Sequence, residues 1–282
     1  MVRGVVPRQP AKTGRHEGAR KPLSRPKATP PSTPKKGARP VAKVKAAKTS
    51  GGKPPAGYDP VVPERVREIL KRLDERYPGV TCALNHESAW ELLVSTILSA
   101  QCTDARVNMV TPVIFAKYPT PADFARLKPE QLEPDIRSTG FFRNKSRSIV
   151  GAAKVVMERH GGQVPDTMEE LLEIPGVARK TANVVLGTWF KKAVGVVVDT
   201  HVHRISRRLE LTRNDDPPKI EQDLMKVIPQ EKWIDFAHQV IHHGRALCVA
   251  RMPRCADCPL ENICHAADKT WSTVEVHKNA TP

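Results

Sequence analysis

The chain has 282 residues, with 46 Lys and Arg against 30 Asp and Glu, a formal net charge of +16 and 5% aromatic residues. That length suits one large domain or two small ones, and the absence of a long apolar run excludes a helix-spanning membrane protein. The charge favours an acidic partner, nucleic acid first. However, residues 1–57 carry +14 of the +16, through 15 Lys and Arg against one acid, Glu17. Charge alone therefore does not make the remainder a DNA-binding domain.

Residues 1–57 contain no Phe, Trp or Tyr and are dense in Pro, Lys, Arg and Ala. Such a segment buries too little apolar surface to offset its ordering entropy. It is expected to be a disordered basic tail, suited to weak, salt-sensitive tethering to DNA. An Arg-rich, acid-poor start also fits an organelle transit peptide, but its prolines spoil an amphipathic helix. The preferred setting is the cytoplasm of a bacterium, near the nucleoid.

From residue 60 the periodicity is helical. Pro63 suits a first helical position, and Val66, Ile69, Leu70, Leu73 and Tyr77 line one helix face before Pro78 stops it. Ser88 to Glu91 has capping-box spacing. The helix that follows is apolar on most sides, from Trp90 to Leu98, and so is expected in a core. It leads into the polar cluster "SAQCTD", Ser99 to Asp104. Further stripes run through Val107, Val110, Val113 and Ile114, through Ile149, Ala152, Ala153 and Val156, and through Trp233, Phe236, Ala237, Val240 and Ile241. Thr120 and Thr167 sit at helix starts. "AVGVVV", Ala193 to Val198, is ambiguous between strand and buried helix or loop. The class predicted is all-α.

"IPGVARKTANVV", Ile174 to Val185, reads as two helices joined by a Pro-Gly turn. Gly176 permits a tight backbone path. The unpaired N–H groups at the start of the second helix suit a phosphate. Lys180 stands at that same positive helix end, flanked by Val177, Ala182, Val184, Val185 and Leu186. The dipole and partial desolvation both disfavour an ammonium there. A free amine is a nucleophile and a Schiff-base former. Downstream, "VVVDTHVHR" delivers Asp199 to a helix start, where it serves as N-cap, as catalytic carboxylate, or as both. His201 and His203 face apart on a helix, so polar packing or phosphate contact is expected of His201, not metal binding.

Cys248, Cys255, Cys258 and Cys264 are spaced C-x6-C-x2-C-x5-C. Zinc and a [4Fe–4S] cluster both satisfy that pattern. Arg245, Arg251, Arg254 and Lys269 make the surrounding loop basic. Cys82 and Cys102 lie beside apolar segments and are expected to pack in the core.

In this order, "LSAQCTD", "GFFRNK", "IPGVARKTANVV", "VVVDTH" and the cysteine array resemble the endonuclease III family of DNA glycosylase/abasic-site lyases, a branch of the helix-hairpin-helix superfamily. The likeness covers roughly residues 60–265. It implies two helical domains flanking a DNA-binding cleft. One is a six-helix barrel with the hairpin, at 82–191. The other is a discontinuous domain at 58–81 and 192–270 that holds a [4Fe–4S] cluster, with a C-terminal tail at 271–282. It also implies removal of oxidised pyrimidines from double-stranded DNA with damaged or missing bases, by a monomer, with Lys180 attacking C1′ and Asp199 assisting. Gln101 would fill the gap left by the flipped nucleotide, and Phe141 would act as a wedge where the family often has Leu. Gly176, Ala178, Arg179 and His201 would contact DNA. Ala178 replaces a common second hairpin glycine, which narrows the allowed geometry. Two alternatives are an adenine-mismatch glycosylase of the same superfamily and a non-catalytic DNA-binding scaffold. Against the first, Leu92 to Gln101 holds no Glu and Lys180 is present.

Overall fold

The structure is a computed structural model that describes residues 58–270; the basic tail expected at 1–57 and the tail at 271–282 lie outside the described residues. Its eleven α-helices are α1 (Pro63–Arg76), α2 (Ala89–Leu98), α3 (Asp104–Lys117), α4 (Pro121–Ala125), α5 (Pro129–Ile136), α6 (Phe142–His160), α7 (Met168–Leu172), α8 (Arg179–Thr188), α9 (Thr200–Arg208), α10 (Pro217–Val227) and α11 (Trp233–Ala246). Among the described residues no strand forms. Ala193–Val198 resolves its ambiguity as an irregular segment whose Val196 is fully buried.

The local signals act as their chemistry requires. Pro63 opens α1, and Val66, Ile69, Leu70 and Leu73 are its buried face. Ser88 caps α2 by accepting from the Glu91 N–H at 3.1 Å. The Glu91 carboxylate reaches past the cap to the Glu87 N–H, so the box is only half closed. Thr120 and Asp123 form a complete box at α4. Val113 departs from the α3 stripe: it is exposed, while Val107, Val110 and Ile114 are buried.

Two apolar cores result. The first draws on residues from Leu84 to Leu186, with α2 buried from Leu92 to Leu98 at its centre. The second joins α1 to Val196, Val202, Ile205 and the inner faces of α10 and α11. Each fully buried Leu or Phe contributes about 1.5–3 kcal/mol from its own burial. The chain crosses from one core to the other through Ala193–Val198, the segment that links α8 to α9.

Candidate active site

A cavity of about 980 Å³ is bordered by Gln101, Lys180, Asp199 and His201 together. Each arrives from a different local cause. Gln101 follows the end of α2 with φ 52°, a left-handed conformation that costs a non-glycine residue about 1 kcal/mol. Lys180 is the second residue of α8 and is exposed. This corrects the expected desolvation: Ala182, Val185 and Leu186 turn into the first core while the lysine faces the cavity. Asp199 caps α9, its Oδ1 accepting from the His201 and Val202 N–H groups at 2.8 Å each. Its Oδ2 makes no hydrogen bond to any described residue. His201 Nδ1 lies 3.1 Å from the Arg204 guanidinium, and burial pulls its titration below the ordinary histidine range.

The hairpin is α7, the turn and α8. Gly176 has φ 81°, and a methyl there would lie 2.6 Å from Ser148 Cβ, so both conformation and space require glycine. Ala178 has φ −99°, ordinary extended backbone, so the missing second glycine costs nothing at that position. It offers α8 no side-chain cap. Arg179 is expected to contact DNA, and in the free protein its half-exposed side chain is paired with Glu221. Its Nε and Nη2 donate to Glu221 Oε2 and Oε1 at 2.7 and 3.2 Å.

Phe141 is not among the cavity-lining residues. It is 63% exposed at the start of α6, with φ 46° directly after Gly140 at φ 71°. An exposed aromatic in a strained backbone has no packing reason to be there. Behind it, the Lys145 ammonium is buried and donates to the Leu98 and Thr139 carbonyls at 2.8 Å each. One side chain thereby ties the end of α2, which leads to Gln101, to the loop of Phe141.

The sequence reading missed several cavity residues. Asp104, Arg245, Cys82, Cys102, His238 and His242 all border it, and Arg245 donates to Asp104 at 2.6 Å from α11 to α3. Asp104 was within reach of sequence reasoning, because it ends a polar cluster immediately after a buried helix. By sequence Arg245 groups with the basic residues around the cysteine loop. Cys82 and Cys102 do pack against the first core, but from the cavity wall.

Cys248, Cys255, Cys258 and Cys264 border a second, small cavity of about 30 Å³. Arg208 donates to Cys248 Sγ at 3.2 Å, and His243 Nε2 lies 3.4 Å from Cys258 Sγ. Burial pushes the Cys258 thiol up to about 12 and raises Cys248 and Cys264. Lys269 braces this loop from inside, donating to the Glu261 and Cys264 carbonyls. Among the described residues no three His, Cys, Asp or Glu side chains converge tightly enough to hold a single ion.

The sequence and the fold both have known relatives. Residues 94–230 match the HhH-GPD superfamily base excision DNA repair protein model. Endonuclease III of Synechocystis sp. is 53% identical over 204 residues, covering 72% of this chain and 93% of that protein. The chain belongs to the endonuclease III family. It is a DNA glycosylase and abasic-site lyase of base excision repair. The Escherichia coli K12 endonuclease III is 39% identical over 202 residues, covering 72% of this chain and 95% of that protein. The structure of a trapped endonuclease III–DNA covalent intermediate aligns with TM-score 0.70 and 42% identity, over 73% of this chain and 97% of that one. A thermostable thymine-DNA glycosylase, at 22% identity and TM-score 0.62, shares the fold. No helix among the described residues is long and apolar enough to cross a membrane.

Proposed function

We propose that this endonuclease III family member removes oxidised pyrimidines from duplex DNA, with Lys180 as the nucleophile and Asp199 as the proton-handling carboxylate. The observation that carries the reading is that both side chains, one from each core's helices, border the same 980 Å³ cavity. The flipped nucleotide enters that cavity. The Lys180 nitrogen attacks C1′, and the glycosidic bond breaks with its electron pair leaving on the base, which takes up a proton. The free Asp199 oxygen offsets positive charge on the sugar as the bond breaks and accepts a proton from the attacking nitrogen. Opening of the sugar ring yields a protonated Schiff base. Removal of a C2′ proton then expels the 3′ phosphate oxygen, and water releases the lysine.

DNA filling the cavity supplies the desolvation that Lys180 lacks in the free protein. Gln101 and Phe141 occupy the space left in the duplex, each already held in its left-handed backbone. The unpaired N–H groups at the start of α8, with Gly176 and Ala178, take a phosphate, and His201 faces the same cavity.

We infer further that the two cores mark two domains, 82–191 and 58–81 with 192–270, and that Cys248, Cys255, Cys258 and Cys264 hold a [4Fe–4S] cluster. All four thiols border one cavity, and the likeness to endonuclease III favours a cluster there over a zinc ion. When bound, the cluster supplies cationic iron that keeps the four sulfurs as thiolates and fixes the loop.

Borohydride trapping on an abasic duplex tests the central claim. The unmutated protein should give a covalent adduct, and Lys180→Gln should give none. An undiminished adduct from Lys180→Gln would assign the nucleophile elsewhere.

A further inference from the structure

We propose that Glu221 is a positioning residue for Lys180, clamping the first turn of α8 against the segment that delivers Asp199. The inference rests on the reading of Lys180 as nucleophile. Glu221 lies on α10, between residues of the second core, and is only 5% exposed. Its carboxylate accepts from Arg179 Nε and Nη2, and from Asn183 Nδ2 at 2.8 Å. A carboxylate so buried is tolerated because these donors satisfy it.

The two donors are spaced i and i+4 on α8, so they share one face, and Lys180 lies between them in sequence. Asn183 turns its N–H toward Glu221 even though its buried Oδ1 is left with no partner among the described residues. The reverse orientation would set that oxygen against the carboxylate, so Glu221 dictates the amide's pose. Gly195 completes the clamp. A methyl at that position would overlap the Glu221 carboxylate and come within 2.9 Å of the Asn183 side chain. The backbone that reaches Asp199 four residues later is therefore pressed directly onto the clamp.

Such a device answers a need. A helix's first turn frays, and α8 begins without a side-chain cap at Ala178. The lysine amine rides on four flexible bonds from that turn. An attacking group displaced by about 1 Å loses on the order of a hundredfold in rate. Fixing residues 179 and 183 to the second core sets the Lys180 Cα relative to Asp199.

The test is single-turnover borohydride trapping on an abasic duplex at saturating enzyme, alongside duplex affinity with its salt dependence and thermal melting. Glu221→Gln should slow adduct formation about tenfold or more, with affinity and salt slope unchanged. Should that variant fold poorly, the apolar pair Arg179→Met with Glu221→Leu removes both charges together, so neither is left without its partner. It should trap equally slowly at saturation. A folded variant of either kind that traps at the unmutated rate overturns the proposal. An unchanged rate in Glu221→Gln, with weaker binding and a shallower salt slope in Arg179→Met, would make Arg179 a phosphate contact instead. Absence of any adduct from the unmutated protein would overturn the Lys180 reading itself, and the clamp with it.

Discussion

Asp199 gives one carboxylate oxygen to two backbone N–H groups and leaves the other for the cavity. Because the capping oxygen is fixed, the free one is fixed as well, and a single residue both starts α9 and aims a charge. The two roles separate in Asp199→Asn. Asparagine caps as well as aspartate, so melting should shift by no more than about 1 kcal/mol in stability terms. Losing the charge and the proton acceptor should slow single-turnover base release by about 10²–10⁴-fold. Base release at the unmutated rate would reduce Asp199 to a cap. Both this residue and Lys180 were legible in the sequence because their settings are local: a helix start after a valine run, and a helix start after Pro-Gly. The surroundings of Lys180 were not. Apolar neighbours in sequence suggested burial, but on a helix they turn to one face and leave the lysine on another.

At the scale of elements, α6 sets the two residues read as duplex wedges through one buried ammonium. Lys145 bonds the Leu98 and Thr139 carbonyls, and its burial pulls its titration below the ordinary lysine range. Lys145→Met keeps the stem's packing and strands two buried carbonyls, at about 1–3 kcal/mol each. Melting should fall accordingly. If the bonds also hold Gln101 and Phe141 for insertion, trapping on an abasic duplex should fall about tenfold relative to trapping on a single strand, where no few-kcal/mol unstacking is needed. Equal losses on both substrates would make Lys145 purely structural. The helices themselves were readable from periodicity and caps. What joins them was not: "GFFRNK" shows a lysine, but its partners sit 47 and 6 residues away, and only packing brings those carbonyls to it.

For the molecule as a whole, the cavity lies where two cores meet, and its long-range ties are the part that periodicity cannot supply. Arg179 and Glu221 are 42 residues apart, and Arg245 and Asp104 are 141 apart. The cysteine array was legible because four cysteines within seventeen positions announce themselves, whereas a carboxylate on α10 looks like any surface acid. Charge distribution, by contrast, is read directly from the chain. Residues 1–57 hold +14 of the +16, and every described residue bordering the cavity lies between 81 and 245. A segment of that charge is suited to contacting duplex phosphates. Each phosphate it neutralises adds about 0.9 to the slope of log K against log salt. Deleting residues 1–57 should weaken affinity for undamaged duplex and flatten that slope by several such increments, while trapping at saturating enzyme keeps its rate. An unaltered slope would mean that the segment does not touch the duplex, and a slowed trapping rate would place part of it in the catalytic step.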